Sequence, residues 1–281
     1  MGPAALDAAF AAHRPDAVVH CAALSDIAEA HQSPHAYYDV NVGGTVALLA
    51  AMRRAGVDQL VFSSSASVYG ESDGRPLRED APTRPTNPYG ATKLAGEEAI
   101  RGLDRWGGLR AVTLRYFNAA GARADAEIGE AHEPETHLVP RVLRALLGEG
   151  AVSVDVYGSD YPTPDGTCIR DYVHVEDLAA AHLRALGYLA AGGASTTVNI
   201  GLGRGFSVRE VIAAAERVSG RRIEAVTRPR RPGDPALLVA DAGRAAEVLG
   251  FTAHHRDIEA ILASAWRWHQ RFHATAVLRR A

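Results

Sequence analysis

Alternating apolar runs and helical stretches predict an α/β fold: a parallel sheet wound with helices, followed by a smaller α/β unit. Strand-like runs at Val18 to Cys21, Leu60 to Ser63 and Ala111 to Tyr116 are separated by helical stretches at Pro34 to Ala55 and Pro88 to Leu103. A strand–helix–strand order joins parallel strands. Beyond Asn118 the chain becomes richer in turns, which places a division near residue 118: one unit over residues 1–118 and a second, mainly separate, over 119–281.

The elements follow in order. Met1 to Arg14 reads as an alanine-rich helix, and Asp16-Ala17-Val18-Val19-His20-Cys21-Ala22-Ala23 as a buried strand. Leu60-Val61-Phe62 begins a strand that runs into the hydroxyl cluster Ser63-Ser64-Ser65-Ala66-Ser67. Pro88 suits the first turn of the next helix, with Asn87 or Thr86 as its cap. Pro, Asp and Gly crowd Asp160 to Thr167, and the segment of about 170–200 is expected to return to the main sheet. Ser207-Val208-Arg209-Glu210 matches a capping box that starts a helix ending near Gly220. Gly201-Leu202-Gly203-Arg204-Gly205 reads as the turn before it, and His254-His255 as the start of a later helix.

Composition narrows the function. With 281 residues, 47% hydrophobic and 22% charged, the chain has ample material for a core, and its net charge of −3 offers no basic face for nucleic acid. The apolar stretches are too short to span a membrane, and the first residues lack the zones of a signal peptide. Cys21 and Cys168 make no disulfide framework, so reduced thiols and a cytoplasmic location are expected. Twelve histidines include no His-Glu-x-x-His pattern, and no metal is expected.

Lys93 is the sole lysine among 30 lysines and arginines, and it follows Tyr89 by four residues in Pro88-Tyr89-Gly90-Ala91-Thr92-Lys93. Where charge alone matters arginine suffices; a retained lysine suggests a need for a compact ammonium. One helical turn apart, Tyr89 and Lys93 share a face. An adjacent ammonium and the helix N-terminus both favour the phenolate of a tyrosine, whose ordinary pKa is about 10, and would make Tyr89 a usable base. A hydroxyl at the end of the preceding strand could relay a substrate proton to it.

Ser65, Tyr89 and Lys93, in this order on a strand end and the next helix, resemble the triad of the extended short-chain dehydrogenase/reductases that act on nucleotide sugars. The resemblance sharpens downstream. Leu114-Arg115-Tyr116-Phe117-Asn118, Thr136-His137-Leu138-Val139-Pro140, the run from Tyr157 to Val175 and Arg231-Pro232-Gly233-Asp234 are similar to the UDP-glucose 4-epimerases, from about Asp16 to about Phe272.

That resemblance implies a Rossmann-like sheet and NAD as cofactor. Tyr89 would be the base, Ser65 its hydrogen-bonding partner, and Lys93 would lower the tyrosine pKa and bind the nicotinamide ribose. Asn118, Leu138, Tyr157, Arg170, Arg231 and Asp234 would hold UDP, with His137 beside Leu138. Cys21, Ala22 and Ala23 would lie against the adenylate and pyrophosphate, Asn41 would stand on the following helix, and Phe117 beside the nicotinamide. Ser25 replaces a lysine that often reaches the phosphates. Leu238 falls where residue size admits or excludes an N-acetyl group on the sugar. The implied reaction interconverts UDP-galactose and UDP-glucose through a 4-ketose, and the helices at Pro34 to Ala55 and Pro88 to Leu103 imply a homodimer.

One departure stands out. The family pattern begins with a strand, a glycine-rich turn and a helix for the pyrophosphate, and nothing before Asp16 matches it. Residues 1–118 therefore read as the remainder of an NAD-binding domain lacking roughly 60 residues, or about two βα units. A fragment, a misassigned start and a natural truncation all fit. Besides the epimerase reading stand another nucleotide-sugar epimerase and a non-catalytic UDP-sugar binder. Dehydration is disfavoured, because Ser65 is followed by Ala66-Ser67 rather than an Asp-Glu pair.

Overall fold

The computed structural model describes residues 2–148, 153–231 and 233–280. Helix α1 (Pro3–His13) leads to strand β1 (Val18–His20), short helices α2 (Ile27–Gln32) and α3 (Pro34–Tyr37), a π-helical segment (Tyr38–Gly43) and α4 (Gly44–Ala55). Strand β2 (Gln59–Ser65), a 3₁₀ turn (Ala66–Val68), helix α5 (Pro88–Gly107) and β3 (Arg110–Tyr116) complete the first half. Then come β4 (Asn118–Ala120), α6 (Leu138–Leu147), β5 (Ser153–Tyr157), β6 (Ile169–His174), α7 (Val175–Ala190) and β7 (Thr196–Ile200). The chain continues through β8 (Gly205–Ser207), α8 (Val208–Ser219), β9 (Glu224–Arg228), β10 (Leu237–Leu238), α9 (Gly243–Leu249) and α10 (Ile258–Arg280).

The main sheet runs β1-β2-β3-β7, all parallel, with Leu60 opposite Val18 and Ala111. Alternate residues of a strand face opposite sides, and the two cores separate accordingly. Leu60 and Phe62 pack with Leu49 and Met52 of α4 and Ile100 of α5. Val61, Val112 and Leu114 pack on the other side with Leu178, Ala181 and Ala185 of α7 and Leu249 of α9. Both faces of β2 and β3 are covered, as a parallel sheet requires, whereas β1, expected as a buried strand, stands at the end of the described sheet with Val19 40% exposed.

The remaining strands form two further sheets. β6 pairs with β10 and β4 in parallel and with β8 in antiparallel fashion, while β5 pairs with β9 in a sheet of two strands among the described residues. Val142, Leu143 and Leu146 of α6, Val211 and Ala215 of α8, and Ile261, Leu262 and Trp266 of α10 form their core.

Three further expectations need correction. Over residues 170–200 only α7 and β7 join the main sheet; β6 belongs to the second sheet, paired with β10 and β4. His254-His255 precede α10 rather than starting it, because Asp177 accepts both backbone N–H groups at 2.9 Å and holds that stretch as a loop. The stretch Pro34 to Ala55 is helical throughout, but in three phases joined by the π-helical segment. The capping box at Ser207 and Glu210 forms as its spacing predicts, and Gly220 ends α8 at φ 67°. Among the described residues no helix is long and apolar enough to cross a membrane.

Candidate active site

The C-terminal ends of β1, β2 and β3 lie together, and open parallel sheets bind ligands outside those ends. Helix α5 starts there. Asn87 caps it by accepting from the Gly90 N–H at 2.8 Å, with Pro88 in the first turn. Gly90 allows the helix to meet the 3₁₀ turn after β2: a Cβ there would stand 2.4 Å from the Ser67 carbonyl oxygen.

This start presents Tyr89 and Lys93 to the sheet end. Lys93 is 4% exposed, and its Nζ donates to the Ser63 carbonyl at 2.8 Å while lying 5.3 Å from the Phe62 ring centre and 5.9 Å from that of Tyr89. Burial lowers its pKa to about 8. Burial likewise raises the Tyr89 phenol well above its ordinary value; Tyr116 adds to the rise and the Ser65 hydroxyl opposes it. In that balance Lys93 is not among the groups that lower the Tyr89 phenol. Its ammonium is turned to the Ser63 carbonyl, and desolvation of a phenolate dominates. Ser65, at the end of β2, accepts from the Ser67 N–H at 3.1 Å.

At the end of β1, Cys21 and Ala22 are exposed and Ala23 half-buried, leaving a turn of small residues open toward the crevice. Its shape comes from Asn41 in the π-helical segment. The Asn41 side chain accepts from Leu24 N–H at 2.8 Å and donates to Leu24 C=O and Thr92 Oγ1, each at 3.0 Å. Asn41 is 4% exposed with its amide engaged this way, so it holds the turn rather than facing the crevice. Ser25 is exposed just past the turn. The Cys21 thiol is lowered by hydrogen bonding to His182, and Ser63 Oγ lies 3.3 Å from its sulfur and 3.0 Å from His182 Nε2.

Other predicted residues lie on β5 and β6 and in the stretch before β10. Arg170 is 9% exposed and forms an ion pair with Asp234. The Arg231 guanidinium lies 3.9 Å from the centre of the Tyr157 ring. Leu238 pairs with Arg170 across β10 and β6 and packs against the cluster of Phe117, Ala66 and Val68. Asn118 is exposed at the start of β4, and Leu138 opens α6 behind its cap residue His137. Phe117 is 5% exposed, a core aromatic on the wall of the crevice.

The arrangement fits a dinucleotide's nicotinamide end. A small-residue turn, a buried lysine and an apolar wall meet at one sheet end. For the pyrophosphate the described residues offer no glycine-rich strand–helix turn. Gly201-Leu202-Gly203 does not serve as one, since Asp171 accepts from the N–H groups of Leu202 at 2.8 Å and Gly203 at 3.0 Å and pins that loop to β6.

Several participants escaped the sequence reading. Ser63 and His182 carry no spacing signal, being 119 positions apart. Glu97 and Arg115 were more accessible: one lies a helical turn past Lys93, the other inside the Leu-Arg-Tyr-Phe-Asn run. Glu130, His132, Glu135 and His137 converge with potential ligand atoms within 4.8 Å of one another, a grouping that matches no metal-binding sequence motif. Two of the four are exposed and they hydrogen-bond one another, so no metal is assigned to them.

Comparison with known proteins agrees with this geometry. The model of the NAD dependent epimerase/dehydratase family matches residues 1–201. A UDP-glucose 4-epimerase of Lacticaseibacillus casei is 47% identical over 265 residues, covering 94% of this chain and 80% of that protein. One from Streptomyces lividans is 51% identical over 254 residues, 90% of this chain and 75% of that protein. Among solved structures, the UDP-glucose-4-epimerase from Stenotrophomonas maltophila with bound NAD and formylated UDP-arabinopyranose superposes with a TM-score of 0.93 at 43% identity, covering 97% of this chain and 81% of that one. The Bifidobacterium longum enzyme in complex with NAD+ and UDP gives 0.91 at 39% identity, covering 96% and 80%.

Proposed function

This chain belongs to the NAD dependent epimerase/dehydratase family, and from that premise we propose that it is a UDP-glucose 4-epimerase, exchanging UDP-glucose and UDP-galactose. One observation carries the reading. The chain's single lysine is buried beside Tyr89 at the ends of the parallel strands, at a cost in desolvation that a surface cation would not meet.

Tyr89 takes the proton of the sugar 4-hydroxyl, with the Ser65 hydroxyl bridging the two. Bound NAD supplies reversible removal of hydride from sugar C4. The residues to hold it are Tyr89, Lys93 and Phe117 at the nicotinamide ribose and Cys21, Ala22 and Ala23 at the phosphate side, with Asn41 shaping that turn and Ser25 at its rim. Lys93 gives a positive charge where the phenolate forms. Burial raises the Tyr89 phenol, and a positive charge beside it favours the phenolate.

Arg170 and Arg231 suit the diphosphate, since guanidinium forks match phosphate oxygens and stay charged. Asp234 orients Arg170, Tyr157 supports Arg231 from below, and Asn118, His137 and Leu138 complete the nucleotide side. Leu238, against Phe117, bounds the sugar end and favours substrates without a bulky group at C2. Anchoring at the diphosphate keeps the ketose in place while its ring turns.

A homodimer is also proposed, supported by exposed Tyr38, Val40 and Val46 on the π-helical segment and α4. The unpaired Cys21 and Cys168 support a cytoplasmic location. Residues 1–118 serve the cofactor and 119–281 mainly the UDP-sugar.

The test is to purify the 281-residue chain, measure NAD released on denaturation and taken up on titration, and follow conversion of UDP-galactose. Bound NAD with turnover is expected. UDP binding without NAD would replace the epimerase reading with that of a nucleotide-sugar binder.

A further inference from the structure

A polar row crosses the main sheet at one level beneath α5. Ser64 of β2 is paired with Arg115 of β3, and Arg115 with Asn199 of β7. Residues in such register point to the same face. All three are buried, at 0%, 3% and 0% exposure, and so is Glu97 of α5, at 1%.

Glu97 gathers the row. Its carboxylate accepts from Ser64 Oγ at 2.5 Å, from Arg115 Nε at 2.9 Å and Nη2 at 2.6 Å, and from Arg101 Nη1 at 3.2 Å. Arg115 Nη1 donates to the Tyr69 hydroxyl at 3.1 Å and the Glu79 carbonyl at 3.2 Å, and Tyr69 donates to Asn199 Oδ1 at 2.7 Å. A buried ion pair is seldom the most stable filling for a core, whereas a bidentate one is highly directional. A fully satisfied network of this kind sets geometry.

The geometry it sets is that of the site. Glu97 lies one turn beyond Lys93 on the same face of α5, and Ser64 lies between Ser63, whose carbonyl takes the Lys93 ammonium, and Ser65. We propose that the buried Glu97–Arg115–Ser64 network is the positioning element of the reaction, tying α5 to the end of β2 so that Tyr89 and Lys93 meet Ser65 at working distance. The inference rests on the epimerase reading for its kinetic consequence only.

Two variants test it. Ser64→Ala removes one tie and little volume; Ser64→Thr restores the hydroxyl. Glu97→Gln keeps size and loses charge. In Ser64→Ala, kcat should fall about tenfold or more with KM for UDP-galactose nearly unchanged, because small displacements at reacting groups are costly while the diphosphate anchor is untouched. Ser64→Thr should recover most of the loss, and Glu97→Gln, if it folds, should repeat it.

A second readout needs no turnover. A chain with one lysine gives one lysine side-chain signal in a ¹³C-lysine-labelled sample. Lys93 is faced by Tyr89 and Phe62, by His20 and Cys21 at the end of β1, and by the Ser63 carbonyl. Its titration midpoint should rise in Ser64→Ala toward that of an ordinary lysine, as α5 draws away and water enters. An unmoved midpoint with unmoved kcat would overturn the proposal and leave the network as packing. A parent chain that does not turn over its substrate would overturn the functional reading, and the lysine titration would still decide this one.

Discussion

Replacing Asn41 by Ala distinguishes a residue that shapes the cofactor turn from one that touches the cofactor. Asn41 is 4% exposed and makes three hydrogen bonds of 2.8 to 3.0 Å, two to the Leu24 backbone and one to Thr92 of α5. Each is worth about 1 kcal/mol net, so their loss amounts to ~3 kcal/mol, with the partly exposed Leu24 groups regaining some of it from water. For a chain of this size that corresponds to a fall of roughly 6–12 °C in the unfolding midpoint, readable by circular dichroism and as a lower urea midpoint. Asn41→Asp should be no better, since it retains the acceptor for Leu24 N–H but loses both donors and sets a carboxylate against the Leu24 carbonyl. NAD affinity should drop alongside stability, because the turn must then be ordered on binding. A variant that unfolds like the parent yet binds NAD poorly would refute the reasoning and return Asn41 to direct contact with the cofactor.

Other consequences are open to measurement. Tyr89→Phe should abolish epimerisation while UDP binding, followed by calorimetry, stays nearly intact; full activity would remove Tyr89 as the base. Lys93 ionises near pH 8 in the folded chain against about 10.5 unfolded, so the unfolded chain holds the extra proton between those values and stability rises with pH across that window. Relative to Lys93→Met, the parent should gain up to ~3 kcal/mol from pH 8 to 10.5, at about 1.4 kcal/mol per unit, and a flat difference in urea stability would contradict the buried placement of the ammonium. Leu238→Gly should raise turnover of UDP-N-acetylglucosamine relative to UDP-glucose; an unchanged ratio would take Leu238 away from the sugar.

Much of this was legible in the residues, for physical reasons that differ by element. Asn87, Pro88 and the Tyr89–Lys93 spacing announce α5 because caps and helical phase are local. Strands β2 and β3 show as apolar runs because both faces are covered. What stayed hidden depends on distance along the chain: the allegiance of β6 to a second sheet is settled by pairing with Leu237–Leu238, 68 positions from its partner residues, which no local pattern carries. The elevation of Tyr89 was likewise out of reach, since charge proximity can be read from spacing and depth of burial cannot. Asn41 was found but not its partners, because a helix asparagine looks the same whether it faces a ligand or a neighbouring backbone.

The π-helical segment between α3 and α4 works as a phase corrector. Tyr37, Asn41, Thr45 and Leu49 are all buried, a repeat of four. At about 100° per residue, three such steps in an unbroken α-helix would accumulate roughly 120° of rotation, enough to carry one end of the row out to solvent. The wider turn at Tyr38–Gly43 absorbs that drift, so one helix can press Asn41 against the crevice turn and still deliver Leu49 to the sheet. Deleting a single residue there would change the spacing to four, three and four, which an unbroken α-helix keeps within about 20° of one face, so the wider turn should vanish with both ends still aimed as before.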